Sequence, residues 1–450
     1  MTLQEEAALR YHKLLGTPPY LDLEWANTLQ GQMAERHLMP SGRAVCPVLR
    51  PHFVTRRQYD ALAKASEILY SAIDRVRELA TATPALLNRL EMLPAEKMLA
   101  GIDPGYPQFA VTSVLDTAIH NGSFHFIQAN ADGPSGVPYA DALSEIFFDA
   151  PPVKQFRKRY KLTRMNGMKR LLNSILAAYK VSGPRKFPRI AIVEFRPPFK
   201  NSPSTEHLLM AEQFRQAGYP TEIVTPEQLE YRNGMLCRGD FGIEIVYRKV
   251  SAQEFLFRFN LTHPLVRAYR ERAVCMINGF RTEVFQKKAL FGLLTDETVT
   301  ASFPAAERKA IKEHLPWTRL VTQSKTTYRG KSIDLPEFIL KNREKLVLKP
   351  NDSTPDLHSH RGWESDDAAW DRALKAAFRT PYVVQERIDA GRAPFPVYQS
   401  GKCEIREMAV EVHPHLYMGK MEGCSTQISD ASSTFSTLAG MAPTFILESA

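Results

Sequence analysis

A chain of 450 residues, 44% hydrophobic and 24% charged, has the composition of a globular protein too long for one compact core, so two or three domains are expected. No apolar run approaches the ~20 residues of a membrane span, and the acidic start MTLQEEAALRYHKLL lacks a cleavable-signal pattern, which makes the cytoplasm the expected compartment. A formal charge of +9 favours anionic partners without choosing among them, and five scattered cysteines without a C-x-x-C pair suggest neither a disulfide framework nor a zinc ribbon.

In chain order, residues 1–110 read as a helical N-terminal region. Thr55-Arg-Arg-Gln58 is a capping box, and it opens an amphipathic helix with Leu62, Ala65, Leu69, Ala72, Val76 and Leu79 on one stripe. Residues 111–150 hold a hairpin, Val111 to Asp132, turning at His120-Asn-Gly-Ser123. Its register decides what shares a face. A two-residue turn sets Asp116 opposite Ile127, whereas a three-residue loop with a bulge puts Asp116 on the face of Phe126, Gln128 and Asn130. That face then carries a carboxylate and two amide oxygens, hard ligands suited to magnesium. The alternative reading of FIQANADGPSG (Phe126 to Gly136) is plain turn chemistry.

Residues 151–185 contain the basic stretch Lys154 to Arg170, which is free of acids, and the linker GPRKFPR. The stretch reads as the solvated face of a surface helix anchored by Phe156, Tyr160 and Met168, so nucleic acid is not an expected partner. Residues 186–259 alternate strand (Arg189 to Phe195), helix (Ser204 to Ala217, stopped by Gly218) and strands (Thr221 to Val224, Ile243 to Val250). This order implies a parallel, Rossmann-like sheet, without a G-x-G-x-x-G fingerprint. In residues 260–450 short apolar strands alternate with helices. Lys287 and Lys288 precede the helix ALFGLL, Lys349 ends KLVLKP, and Gln385-Glu386 ends PYVVQER. A last strand pair is expected at CEIREMAVEV and HLYMGKMEG. The fold class is α/β with α+β elements.

Lysines that close apolar strands suit a nucleotide phosphate site, since an ammonium is a compact point charge. Several motifs together resemble the circularly permuted ATP-grasp family, close to glutathionylspermidine synthetase-like ligases. They are RPHFVT, QANADGPSG with Asp116 before it, IVYRKV, AVCMINGFRTEVFQKKALFGLL, LVLKP, YVVQER and EIREMAVEV. The metal hairpin precedes the nucleotide lysines, which is the order a permuted chain requires.

The resemblance implies ATP and Mg2+, and an ATP-dependent carboxylate–amine ligase that forms an amide or peptide bond through an acyl phosphate. Its substrates would be a small-molecule or peptide carboxylate and an amine. By matching position, Lys288 and Lys349 would hold the α- and β-phosphates, Glu386 and the backbone of Tyr382 to Gln385 would meet ribose and adenine, and Asp116, Gln128 and Asn130 would face the metal. Arg248 and Arg406 are candidates for the carboxylate or acyl phosphate, because a guanidinium fork suits both. Three departures stand out. The family's metal Glu is Gln128 here, the loop after Lys349 has Gly362 as its only glycine, and a G-G-x-T-R-like segment reads Gly423-Cys-Ser-Thr-Gln427. His358, His360 and Arg361 are candidates to replace the loop electrostatically. The competing reading is a catalytically weak nucleotide-binding scaffold or regulatory subunit.

Overall fold

The computed structural model describes the chain apart from residues 1, 121–122, 182, 197–202, 353–356, 400, 431–437 and 449–450. Parts of the expected hairpin turn and of the loop after Lys349 therefore lie outside the described residues. The helix expected after Thr55 runs Arg56–Ala82, and Thr55 and Gln58 cap it reciprocally. Leu62, Ala65, Leu69, Ala72 and Val76 are buried, because residues in steps of three and four share one helix face. That face packs on the Lys402–Tyr417 and Lys420–Ser429 strands. The N-terminal region is not wholly helical. His52–Thr55 is a strand that pairs in parallel with Thr444–Leu447, whose other neighbour is Leu162–Thr163.

The basic stretch is not one helix. It divides into the helix Pro151–Arg157, the short strand Leu162–Thr163 and the helix that begins at Gly167. Phe156 stacks on Tyr160 with ring centroids 4.5 Å apart, turning the chain back after Arg157. The cations then disperse: Arg157 lies over Phe148, and Arg170 pairs with Glu422 at 3.1 Å.

Four parallel strands form one sheet in the order Cys275–Ile277, Ile245–Arg248, Ile190–Val193, Thr221–Val224. Helix Thr205–Gln216 connects the last two and ends before Gly218, whose φ of 91° is the left-handed stop. The chain then crosses to the other side of Ile190–Val193. This reversal is a topological switch point, and ligands of open α/β sheets bind outside the carboxyl ends of such strands.

Two further antiparallel sheets border the cleft. In the large one, Ser123–Asn130 pairs with Thr112–His120, which pairs with Lys402–Tyr417, followed by Lys420–Ser429 and Ala439–Ala442. Gly391–Gln399 also pairs with Lys402–Tyr417. The two last strands expected from the sequence divide elsewhere: Lys402–Tyr417 is a continuous strand of 16 residues, and the turn falls at Met418–Gly419. Both turn residues have positive φ, 51° and 81°, the twist that a two-residue hairpin needs. The small sheet has the order Thr318–Leu320, Tyr382–Glu386, Leu346–Pro350, His360–Arg361.

Candidate functional site

The early hairpin fixes one wall of a cleft. His120 pairs with Ser123, so two residues and not three separate the strands, and the extra residue sits further along. Thr117 pairs with Phe126 but Asp116 pairs with Gln128, a bulge that makes Ile127 the unpaired residue. The bulge brings Asp116 and Gln128 together where the turn alone would part them. It also removes Phe126 from the expected ligand face, for Phe126 is buried against Phe124 and His314. Asn130 pairs with Val114, and its Oδ1, expected to face the metal, instead accepts from the Asp132 N–H at 3.0 Å and from Gln286 Nε2 at 3.5 Å, so Glu411 of the neighbouring strand takes its place among the candidate ligands. The loop that follows is pressed against the parallel sheet. A Cβ on Gly133 would lie 2.8 Å from the Arg248 carbonyl oxygen, and Lys249 Nζ donates to the Gly133 and Pro134 carbonyls at 2.7 and 2.9 Å.

The neighbouring strand adds two residues that the sequence reading missed. Glu411 pairs with Ala118 and His415 with Val114, which sets His413 beside Asp116. His413 Nδ1 is 3.4 Å from Asp116 Oδ1, and Nε2 is 3.4 Å from Glu411 Oε2. Burial pulls the imidazole pKa down, but the hydrogen bond to Glu411 and the charge of Asp116 outweigh it and hold the pKa above its ordinary value. The bond from His413 in turn lowers Glu411, while burial raises Asp116. The available signal was the alternation of polar Glu411, His413 and His415 with apolar Val410 and Val412, the period of a strand with one functional face.

The second wall is the small sheet. Lys349 Nζ donates to Gln385 Oε1 at 2.7 Å and reaches the Ile127 carbonyl of the opposite wall at 3.4 Å. Gln385 Nε2 donates onward to Thr318 Oγ1 at 3.0 Å, so the Gln385 side chain holds the lysine in place. Lys288 is buried at the cleft floor, its backbone N–H bound to the Asn351 carbonyl at 3.1 Å. Burial, reinforced for Lys349 by the charge of Lys288, brings both lysines down to about 8. Lys287 differs from its neighbour, being locked between Glu96 at 2.9 Å and Asp352 at 2.7 Å. Glu386, at the end of its strand, accepts from Tyr328 Oη at 2.7 Å, from the Trp317 N–H at 3.2 Å and from Arg329 at 3.1 Å.

Two expectations are corrected. Arg248 is fully buried and pairs with Asp132 and Glu283, while Nε and Nη1 donate to the Asn278 and Val250 carbonyls at 3.0 and 2.6 Å. Its fork is consumed inside the protein, so it is not the substrate-carboxylate ligand. Arg406 shares strand parity with buried Met408, Val410 and Val412, the face opposite Glu411 and His413, and pairs with Glu404 at 3.1 Å. It does not enter the cleft.

Between the hairpin and the switch point lies a cavity of about 540 Å3 whose lining includes Asp116, His413, Gln427, Arg43, Tyr139 and Glu206. Gln427 occupies the position at which the sequence reading expected an arginine. Among the described residues, no three His, Cys, Asp or Glu side chains converge as a ready metal site. The oxygen donors of Asp116, Gln128 and Glu411 nevertheless fit magnesium, which binds through one or two carboxylates and completes its shell with substrate phosphates and water. No helix among the described residues is long and apolar enough to cross a membrane.

A model of the circularly permuted ATP-grasp type 2 family matches residues 96–423. No curated protein matches the chain. Among solved structures, a glutathione synthetase-like effector from Globodera pallida aligns over 96% of this chain and 98% of its own, with 12% identity and a TM-score of 0.58. A Methylobacillus flagellatus protein described as a gamma-glutamylcysteine synthetase aligns over 86% of each chain, with 10% identity and a TM-score of 0.43. At 12% identity the likeness to the first is one of fold.

Proposed function

Since the chain belongs to the circularly permuted ATP-grasp type 2 family, we propose that it is an ATP-dependent carboxylate–amine ligase, releasing ADP and phosphate. The observation that carries this reading is that buried Lys288 and Lys349 both lie near Asp116, with Glu411 near Lys349, while Asp116 also lines a cavity large enough for a peptide-sized substrate. A substrate carboxylate oxygen attacks the γ-phosphorus, the bond to ADP breaks, and an acyl phosphate forms. An amine nitrogen then attacks the acyl carbon, phosphate departs, and the nitrogen releases one proton. Lys288 and Lys349 offset the phosphate charge, and Gln385 holds Lys349 in place. Asp116, Gln128 and Glu411 would hold magnesium, which supplies further charge neutralisation on the phosphates. Positioning and electrostatics of this kind supply most of the catalysis in phosphoryl transfer. The cavity, at the switch point of the parallel sheet, receives the carboxylate and the amine. A pair of the glutathionylspermidine type, a peptide carboxylate and a polyamine, belongs to the substrates to be screened.

The test is amine-dependent release of ADP and phosphate in a screen of peptide carboxylates and amines with magnesium. Turnover that needs both substrates supports the ligase. Nucleotide binding without turnover for any pair would favour the scaffold reading.

A further inference from the structure

With Arg248 and Arg406 outside the cleft, Lys288 and Lys349 remain as the sequence-expected phosphate cations. A third cation stands on the same wall. Thr318 pairs with Gln385, Gln385 with Val347, and Val347 with Arg361, so one row crosses all four strands of the small sheet. Paired residues of antiparallel strands share a face, and residues two apart on a strand share it too. Arg361 therefore projects from the face that carries Lys349, one strand away. His360 pairs with Leu348 on the opposite face and stacks on Tyr382 with centroids 6.0 Å apart. His358 meets the same ring through its backbone carbonyl, 3.1 Å from Tyr382 Oη. Of the three residues that the sequence offered in place of a glycine-rich loop, the register selects Arg361.

The position is rigidly set. A Cβ on Gly362 would collide with the Arg343 carbonyl at 1.9 Å, so only glycine lets the chain pass there, and Arg343 Nη1 holds the Gly362 carbonyl at 2.9 Å. Arg361 Nη1 bonds Glu364 Oε1 at 3.1 Å, which steadies the side chain while leaving it partly exposed. Its field reaches across the cleft: besides burial and Lys288, Arg361 depresses Lys349, and besides His413 and Lys349 it helps lower Glu411.

We propose that Arg361 is a nucleotide-phosphate ligand, binding the polyphosphate beside Lys349 and Lys288. This rests on the ATP reading above. The chemistry suits the position, because a guanidinium offers a planar, permanently charged fork to phosphate oxygens where a lysine offers a point charge.

Calorimetric titration of ATP with magnesium into the parent, Arg361→Ala, Arg361→Lys and Lys349→Ala proteins tests it, with the unliganded melting temperature of each as the fold control. Arg361→Ala should weaken ATP binding by about tenfold or more at an unchanged unliganded melting temperature. Arg361→Lys should recover part of the loss, as a point charge returns without the fork. Should Arg361→Ala melt early, Arg361→Gln, which keeps hydrogen bonding without charge, decides by the same criterion. Parent-like affinity in Arg361→Ala beside weakened binding in Lys349→Ala would overturn the assignment and leave the ATP reading intact. Absence of ATP binding by the parent would end both.

Discussion

Arg248 and Arg361 both lie on strands that border the cleft, yet one is sealed and the other shares the sheet face of Lys349. Around Arg248 the carboxylates of Asp132 and Glu283 are buried, and burial raises the pKa of each. Arg248→Met would leave both without their counter-charge, which typically costs about 3–5 kcal/mol. Urea unfolding should show that loss as a lower midpoint with an unchanged slope. A variant that unfolds like the parent but loses turnover would return Arg248 to the substrate site. The lysines make a separate prediction. With Lys288 and Lys349 near 8 in the free protein, both shed protons between about pH 7 and 9. Bound phosphate favours the charged form and raises their pKa, so binding near pH 9 must take up protons and ATP affinity must fall as pH rises. Calorimetry in buffers of different ionisation enthalpy reads the uptake directly. Heats independent of buffer would mean that these lysines titrate like exposed ones.

At the scale of the element, the bulge at Ile127 is the decisive feature, because a one-residue shift exchanges the faces of a strand. It sets Gln128 next to Asp116, so an amide stands where another carboxylate would attract a divalent ion more strongly. Gln128→Glu should tighten magnesium binding to the ATP complex, read as a leftward shift of the calorimetric magnesium titration at saturating ATP. Superimposable titrations would mean that residue 128 does not face the metal. The same reasoning explains the basic stretch. Its charges did not determine an element, since the Phe156–Tyr160 stack and the pairing of Leu162–Thr163 broke the helix that composition alone allowed.

The whole molecule closes on itself. The strand Thr444–Leu447 lies between His52–Thr55 and Leu162–Thr163, and Glu448 bonds Arg56 at 2.5 Å and Thr163 at 2.9 Å. Three segments far apart in sequence thus share one small sheet beneath the long helix. Deleting residues 444–450 removes the buried Phe445, Ile446 and Leu447, worth roughly 5 kcal/mol at ~1.5–3 kcal/mol each. The truncated protein should melt much earlier and with a broader transition by calorimetry. An unchanged melting profile would show that the terminal strand is an appendage and not part of the common core.

The capped helix after Thr55 and the strand–helix–strand unit around Ile190 were legible in the sequence, because each depends on local rules, such as helical period, capping chemistry and glycine stops, that act within a few residues. The order of motifs and the interest of Lys288 and Lys349 came through the family resemblance. What faces the cleft was settled otherwise. Asp116 meets Gln128 only through the bulge, His413 and Glu411 join them only because Lys402–Tyr417 docks on the early hairpin, and Arg361 rather than Arg248 or Arg406 looks toward Lys349. A strand's sequence fixes which residues alternate, but the face turned to a ligand depends on register with partners hundreds of residues away. That choice belongs to the tertiary structure, where pairing energy and burial select one register from several that the sequence leaves open.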